Sequence, residues 1–205
     1  MDDENVGLVE VRSNLKEERS IWAIGTMLAQ LMNVGQLHER GAWDRCSVTH
    51  VGLYRGDQVC EAVFGGVRKI GFPEWLDEYD GRQGVRMYAT PCREGKRDLC
   101  ERAWKWAECQ VGKPYDWFGG PQAVLDILER VAPALRRDGM SEERMCCSTL
   151  IGLAFLHALG GDDLSWCRGL DGPGPGELSP ANIADWRLWD RDRRVVVVKP
   201  TPWPR

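Results

Sequence analysis

Several features that would direct the reading are missing from this chain of 205 residues. No apolar run is long enough to cross a bilayer. The best one, Ile21 to Met32, is broken by Gly25 and Gln30 and falls short of the roughly 20 residues a spanning helix needs. It reads as part of an amphipathic helix. No lysine-arginine stripe with interleaved aromatics occurs, and the net charge is −4 with both signs interspersed, so no nucleic-acid partner is expected. The start, Met1-Asp2-Asp3-Glu4-Asn5, lacks the basic residues and apolar stretch of a secretion signal, and a cytoplasmic site of synthesis is expected. Internal repeats and low-complexity tracts are absent as well.

What is present supports a folded domain. A hydrophobic content of 43% lets a chain of this length bury a full core, and a single domain over 1–205 is expected, with a helical insertion at about 95–140. Eight cysteines without a signal peptide fit a reduced compartment, where thiols act as small apolar side chains, nucleophiles or metal ligands rather than disulfides. Ten tryptophans fit core and rim packing, or else a groove for sugar or peptide.

Alternation predicts strands at Gly7 to Arg12, Val85 to Ala89 and, with burial on both faces, Val195 to Val198. An amphipathic helix is expected from Glu18 to Met32, followed by a polar loop through His38. A one-turn helix is expected at Phe72 to Leu76, and a longer one from Lys96 to Val111, its inner face set by Leu99, Ala103, Trp106 and Ala107 and its end capped by Gly112. Pro121 opens another helix through Leu135, and a charged segment, 136–144, leads to an apolar helix from Cys147 to Leu159 that stops at Gly160-Gly161. A Gly/Pro loop from Gly172 to Gly176 precedes a short helix with Ser179 as cap and Pro180 at its first position.

The most informative stretch is Thr49-His50-Val51-Gly52-Leu53-Tyr54, a Gly56-Asp57 turn and the return strand Val59-Cys60-Glu61-Ala62. With a two-residue turn, residue 55 pairs with 58 and Gly52 faces Glu61. His50 then lies one diagonal step from Glu61 on the same face, and Gly52 leaves the carboxylate room to lean toward the imidazole. Downstream, Cys147 opens an apolar helix, where unpaired amides and the positive end of the helix dipole favour a thiolate. Cys146, one residue earlier, points about 100° around the helix and is the alternative thiol. Thiolate, imidazole and carboxylate are the parts of a cysteine hydrolase.

These residues carry a resemblance. Ser47-x-x-His50-Val51-Gly52-Leu53-Tyr54, Glu61-Ala62, Cys147-Ser148-x-Leu150-Ile151 and Leu178-Ser179-Pro180 together resemble the circularly permuted branch of the NlpC/P60 papain-like superfamily, the YiiX/YebB-like cysteine hydrolases. The resemblance spans about Gly7 to Pro180. It implies an α+β papain-like fold in which an antiparallel sheet packs against the nucleophile helix, with Cys147 as nucleophile, His50 as base and Glu61 as orienting acid. The family's aromatic before the nucleophile and acidic residue two places after it are here Cys146 and Thr149. Oxyanion or substrate contacts are expected at the helix start, including Ser148, and from Tyr54 on the His50 face. No metal or cofactor is implied. The substrate class implied is a peptidoglycan stem peptide or another acyl compound, reached without a secretion signal by carriage in a phage tail or similar delivery machine. The competing expectation is a structural tail-tip or assembly protein on the same scaffold, with Cys92, Cys100 and Cys109 joined by Cys46, Cys60 or Cys167 in an iron–sulfur site. His38 and His157 are given no role.

Overall fold

The computed structural model describes residues 5–13, 48–80, 85–116, 145–161, 178 and 180–197. The helices expected at Glu18 to Met32 and Pro121 to Leu135, the His38 loop, the 136–144 segment, the Gly172 to Gly176 loop and the cap Ser179 lie outside the described residues. The fold is mixed α+β. Six strands form one sheet: β1 (Val6–Ser13), β2 (Val48–Arg55), β3 (Gln58–Val63), β4 (Gly66–Gly71), β5 (Val85–Pro91) and β6 (Val195–Val197). Their order is β4-β3-β2-β1-β5-β6 and every neighbouring pair is antiparallel. The strands β2 to β4 form a meander. The helix α1 (Phe72–Tyr79), longer than the single turn expected, then leads the chain past β1 so that β5 pairs on its far side.

Each sheet face has its own core. Leu8, Val51, Leu53 and Cys60 pack under α2 (Arg97–Glu108), α3 (Cys147–Ala158) and α4 (Pro180–Ala184). Val9, Val11, Tyr54 and Val59 face the opposite way, under Phe72, Trp75 and Leu76 of α1. Leu8 and Val9 are both fully buried, which explains why β1, lying between β2 and β5, is apolar on successive residues. On α3, Leu150, Ile151, Leu153, Ala154 and Phe155 bury a surface that extends around the helix. Gly160 and Gly161, at φ +78° and +86°, end it where side-chain-bearing residues would be strained. Four tryptophans, Trp75, Trp104, Trp186 and Trp189, are fully buried, so these serve packing rather than an open groove.

Four expectations need correction. α2 ends at Glu108 and not at Val111, and Gly112, at φ +92°, belongs to the following turn, where its N–H bonds Val67 O at 2.8 Å. The tryptophan buried by α2 is Trp104, whereas Trp106 is only half-buried against His157. The last strand is not buried on both faces: β6 pairs only with β5, at the sheet edge, and Val195 and Val196 are 52% and 57% exposed. Its approach is fixed by Arg194, which donates to the buried Glu10 at 2.5 Å and lies over the Tyr88 ring.

The fourth correction concerns the thiols, because Cys92, just after β5, is disulfide-bonded to Cys100 in α2. The intervening residues fold back and bring the two Cα atoms to 6.7 Å, within the range a disulfide can span. Closing a loop of this size stabilises by about 2–3 kcal/mol in the chain-entropy account. Paired Cys92→Ser and Cys100→Ser substitutions are expected to lower unfolding stability by that amount in a urea titration, and dithiothreitol to lower the native protein to the same level.

Candidate active site

The hairpin forms in the register its turn dictates. Arg55 pairs with Gln58, Tyr54 with Val59 and Leu53 with Cys60, around a turn in which Gly56 has φ +55°. A Cβ added at Gly52 would lie 3.2 Å from Glu61 Cβ and 3.1 Å from Cys60 O, so the glycine is the space into which Glu61 fits. The pairing of β1 with β2 slips just before His50: Val11 pairs with His50 but Arg12 with Val48, leaving Thr49 as the extra residue of a bulge. Such bulges re-aim side chains. Here Val48 joins the core under the helices, while His50 turns to the face it shares with Glu61 and stacks on Tyr79.

Four N–H donors meet the Glu61 carboxylate, which is fully buried. Oε2 accepts from Trp75 Nε1 at 2.9 Å and bonds His50 Nε2 at 2.7 Å. Oε1 accepts from Arg68 Nε at 3.0 Å and Nη2 at 2.5 Å. A carboxylate offers about four acceptor positions, and these donors use them. Burial alone would raise this acid's pKa. The hydrogen bond and charge of His50, followed by those of Arg68, outweigh burial and hold it below its ordinary value.

Cys147 is the other group that acts on His50, raising its pKa. Since Nε2 faces Glu61, Nδ1 is the ring nitrogen left for the sulfur. Burial opposes the imidazolium, but the hydrogen bonds to Cys147 and Glu61 and the charges of both push His50 up to about 10. Cys146 behaves differently. Its sulfur lies 3.4 Å from Ser148 Oγ and 3.0 Å from Thr149 Oγ1, and burial, then the neighbouring Cys147, push its pKa up. The thiol that acts on the imidazole is therefore Cys147.

One neighbour was not singled out in the sequence. Tyr115, in the loop after α2, bridges to Met145 beside the start of α3 and packs edge-on against Phe64. Its ionisation is opposed by burial and then by Cys147, Cys146, Asp116 and Tyr79, which keeps its phenol protonated. Tyr54 is not brought to this point. It is buried edge-on against Phe72 under α1, and burial pushes its pKa up to about 12. Ser148 is also buried, and its hydroxyl is engaged with Cys146. His157 stacks on Trp106 at the far end of α3.

No cysteine cluster forms among the described residues. Cys92 and Cys100 are bonded to each other, Cys109 is exposed and Cys60 is buried, and no group of three His, Cys, Asp or Glu side chains there could hold a metal ion. Cys46 and Cys167 lie outside the described residues. No described helix is long and apolar enough to cross a membrane. Compared with known proteins, the chain matches no family model, no curated protein and no solved structure.

Two stability effects follow from the titrating pair. His50 rises from 6.5 to about 10 on folding, so its contribution is complete below 6.5 and is lost as pH climbs toward 10. Glu61 falls below 4.5, so its contribution is complete above that value and is lost in acid. Unfolding free energy measured against pH should therefore plateau between these limits, and His50→Ala should flatten the alkaline decline. Glu61→Gln turns an amide N–H toward groups that are themselves donors, and should cost about 1–3 kcal/mol in the same measurement.

Proposed function

We propose that this chain is a cysteine hydrolase of permuted papain-like design, cleaving an amide or related acyl bond with Cys147 as nucleophile. One observation carries the reading: His50 bonds a buried carboxylate through Nε2 at 2.7 Å, and Cys147 is the other group that raises its pKa. A protonated imidazole next to a thiol is the electrostatic condition for a thiolate, the attacking species. The thiolate adds to the carbonyl carbon, and His50 gives its proton to the departing amine as the carbon–nitrogen bond breaks. Neutral His50 then takes a proton from water, which attacks the thioester and releases the acid. Return of the sulfur as a thiolate beside imidazolium completes the cycle.

The negative oxygen that forms on the carbonyl needs donors. A backbone amide at the start of α3 supplies one, and the protonated Tyr115 phenol, whose ionisation Cys147 opposes, supplies another. The resemblance makes the stem peptide of peptidoglycan the substrate class. The competing scaffold reading assigns Cys147 no chemistry.

Alkylation separates the two readings. In a Cys109→Ser background, iodoacetamide at neutral pH should modify Cys147 ahead of every other thiol, and His50→Ala should slow that modification on the order of a hundredfold. Labelling in simple order of exposure, indifferent to His50, is the outcome of the scaffold reading. For the hydrolase itself, Cys147→Ala should abolish release of peptide from purified peptidoglycan. Tyr115→Phe should lower kcat by about 10²-fold with little change in KM, as measured for loss of single oxyanion donors.

A further inference from the structure

The hydrogen-bond chain does not stop at Glu61. Arg68 is its direct cross-strand partner on β4 and meets Oε1 through Nε and Nη2. The same guanidinium reaches outward to Glu78 of α1, with Nη1 on Oε1 at 2.7 Å and Nη2 on Oε2 at 2.5 Å. One planar group therefore clamps two carboxylates from two elements, one wholly buried and the other 36% exposed. A lysine ammonium, a point charge on a flexible stem, cannot reproduce both forks.

We propose that Arg68 is a positioning residue of this site, fixing the Glu61 carboxylate so that Oε2 faces His50 and setting the acid limit of the reactive Cys147–His50 pair; this rests on the hydrolase reading above. The groups facing the carboxylate and its partner identify which one matters. β2 contributes His50, and α3 brings Cys147 with Cys146 behind it. α1 contributes the Trp75 N–H, Glu78 and the Tyr79 ring, and the loop after α2 contributes Tyr115, held protonated. Cys60, on the same strand as Glu61, belongs to the core on the other sheet face. Arg68 is the one permanent cation among these groups.

Without Arg68, Oε1 is left buried with no donor, and burial drives the carboxyl to take a proton. A neutral Glu61 no longer favours imidazolium at His50, and the thiolate is lost with it. The loss is confined to the acid side, because above that range the carboxylate is ionised with or without its clamp.

The test is the rate of Cys147 alkylation by iodoacetamide against pH, read by mass spectrometry on the full chain in the Cys109→Ser background. Arg68→Met should move the acid midpoint upward by about one pH unit or more while leaving the plateau rate nearly unchanged. Arg68→Lys should give a smaller shift, and Glu78→Gln one in the same direction. A midpoint unmoved in Arg68→Met overturns the proposal; should that variant not fold, unmoved midpoints in both Arg68→Lys and Glu78→Gln overturn it equally. His50→Ala run alongside separates the failures, since labelling indifferent to His50 removes the hydrolase reading itself.

Discussion

A carboxylate out of contact with water, holding four N–H groups from three neighbouring elements, is the constraint around which this molecule is arranged. An isolated charge there would be too costly to keep, so its partners must arrive together. That requirement fixes the β2–β3 hairpin for His50, the β3–β4 hairpin for Arg68 and the seating of α1 for Trp75. It also accounts for Gly52, whose missing side chain is the volume the acid occupies.

The consequences for the sulfur are indirect. Cys147 opens a helix that is buried around most of its surface, so the position of the thiol is set by the packing of Leu150, Ile151 and Phe155 and not by a surface loop. Imidazole orientation is set from the opposite sheet face, by Glu61 and the stacked Tyr79 ring. The two halves of the proposed reacting pair thus sit on separately packed layers. Such placement on rigid elements suits a site whose geometry must hold to fractions of an ångström.

Where the sequence was informative, a short-range rule acted without competition. A two-residue turn containing glycine leaves one register, and the juxtaposition of His50, Gly52 and Glu61 follows from counting back from Arg55 and Gln58. The same count around the Phe64-Gly65 turn pairs Val63 with Gly66 and Glu61 with Arg68, so that signal was present and unused. Tyr115 offered no comparable pattern: it lies in a loop, and a parallel bridge to Met145 holds it beside the start of α3. The Cys92–Cys100 bond could not be read from spacing, because it depends on how the chain folds back between β5 and α2. At β6, a run of valines has the same composition in a sheet centre and at an edge, and the neighbour that decides is set by topology. The family resemblance rests on the residues that carry it, and the α+β class with its antiparallel sheet is the part of that expectation the coordinates display.

The bulge at Thr49 gives β2 two pleating phases, one on either side of a single extra residue. Upstream of it, Val48 keeps time with the helical layer; downstream, His50 keeps time with the carboxylate. Length changes in the segment entering the strand can be absorbed at this joint without rotating the imidazole, and deleting Thr49 would restore plain alternation with Val48 and His50 still on opposite faces. The strand therefore works as a gearbox, letting the entry of the chain and the aim of the histidine vary independently.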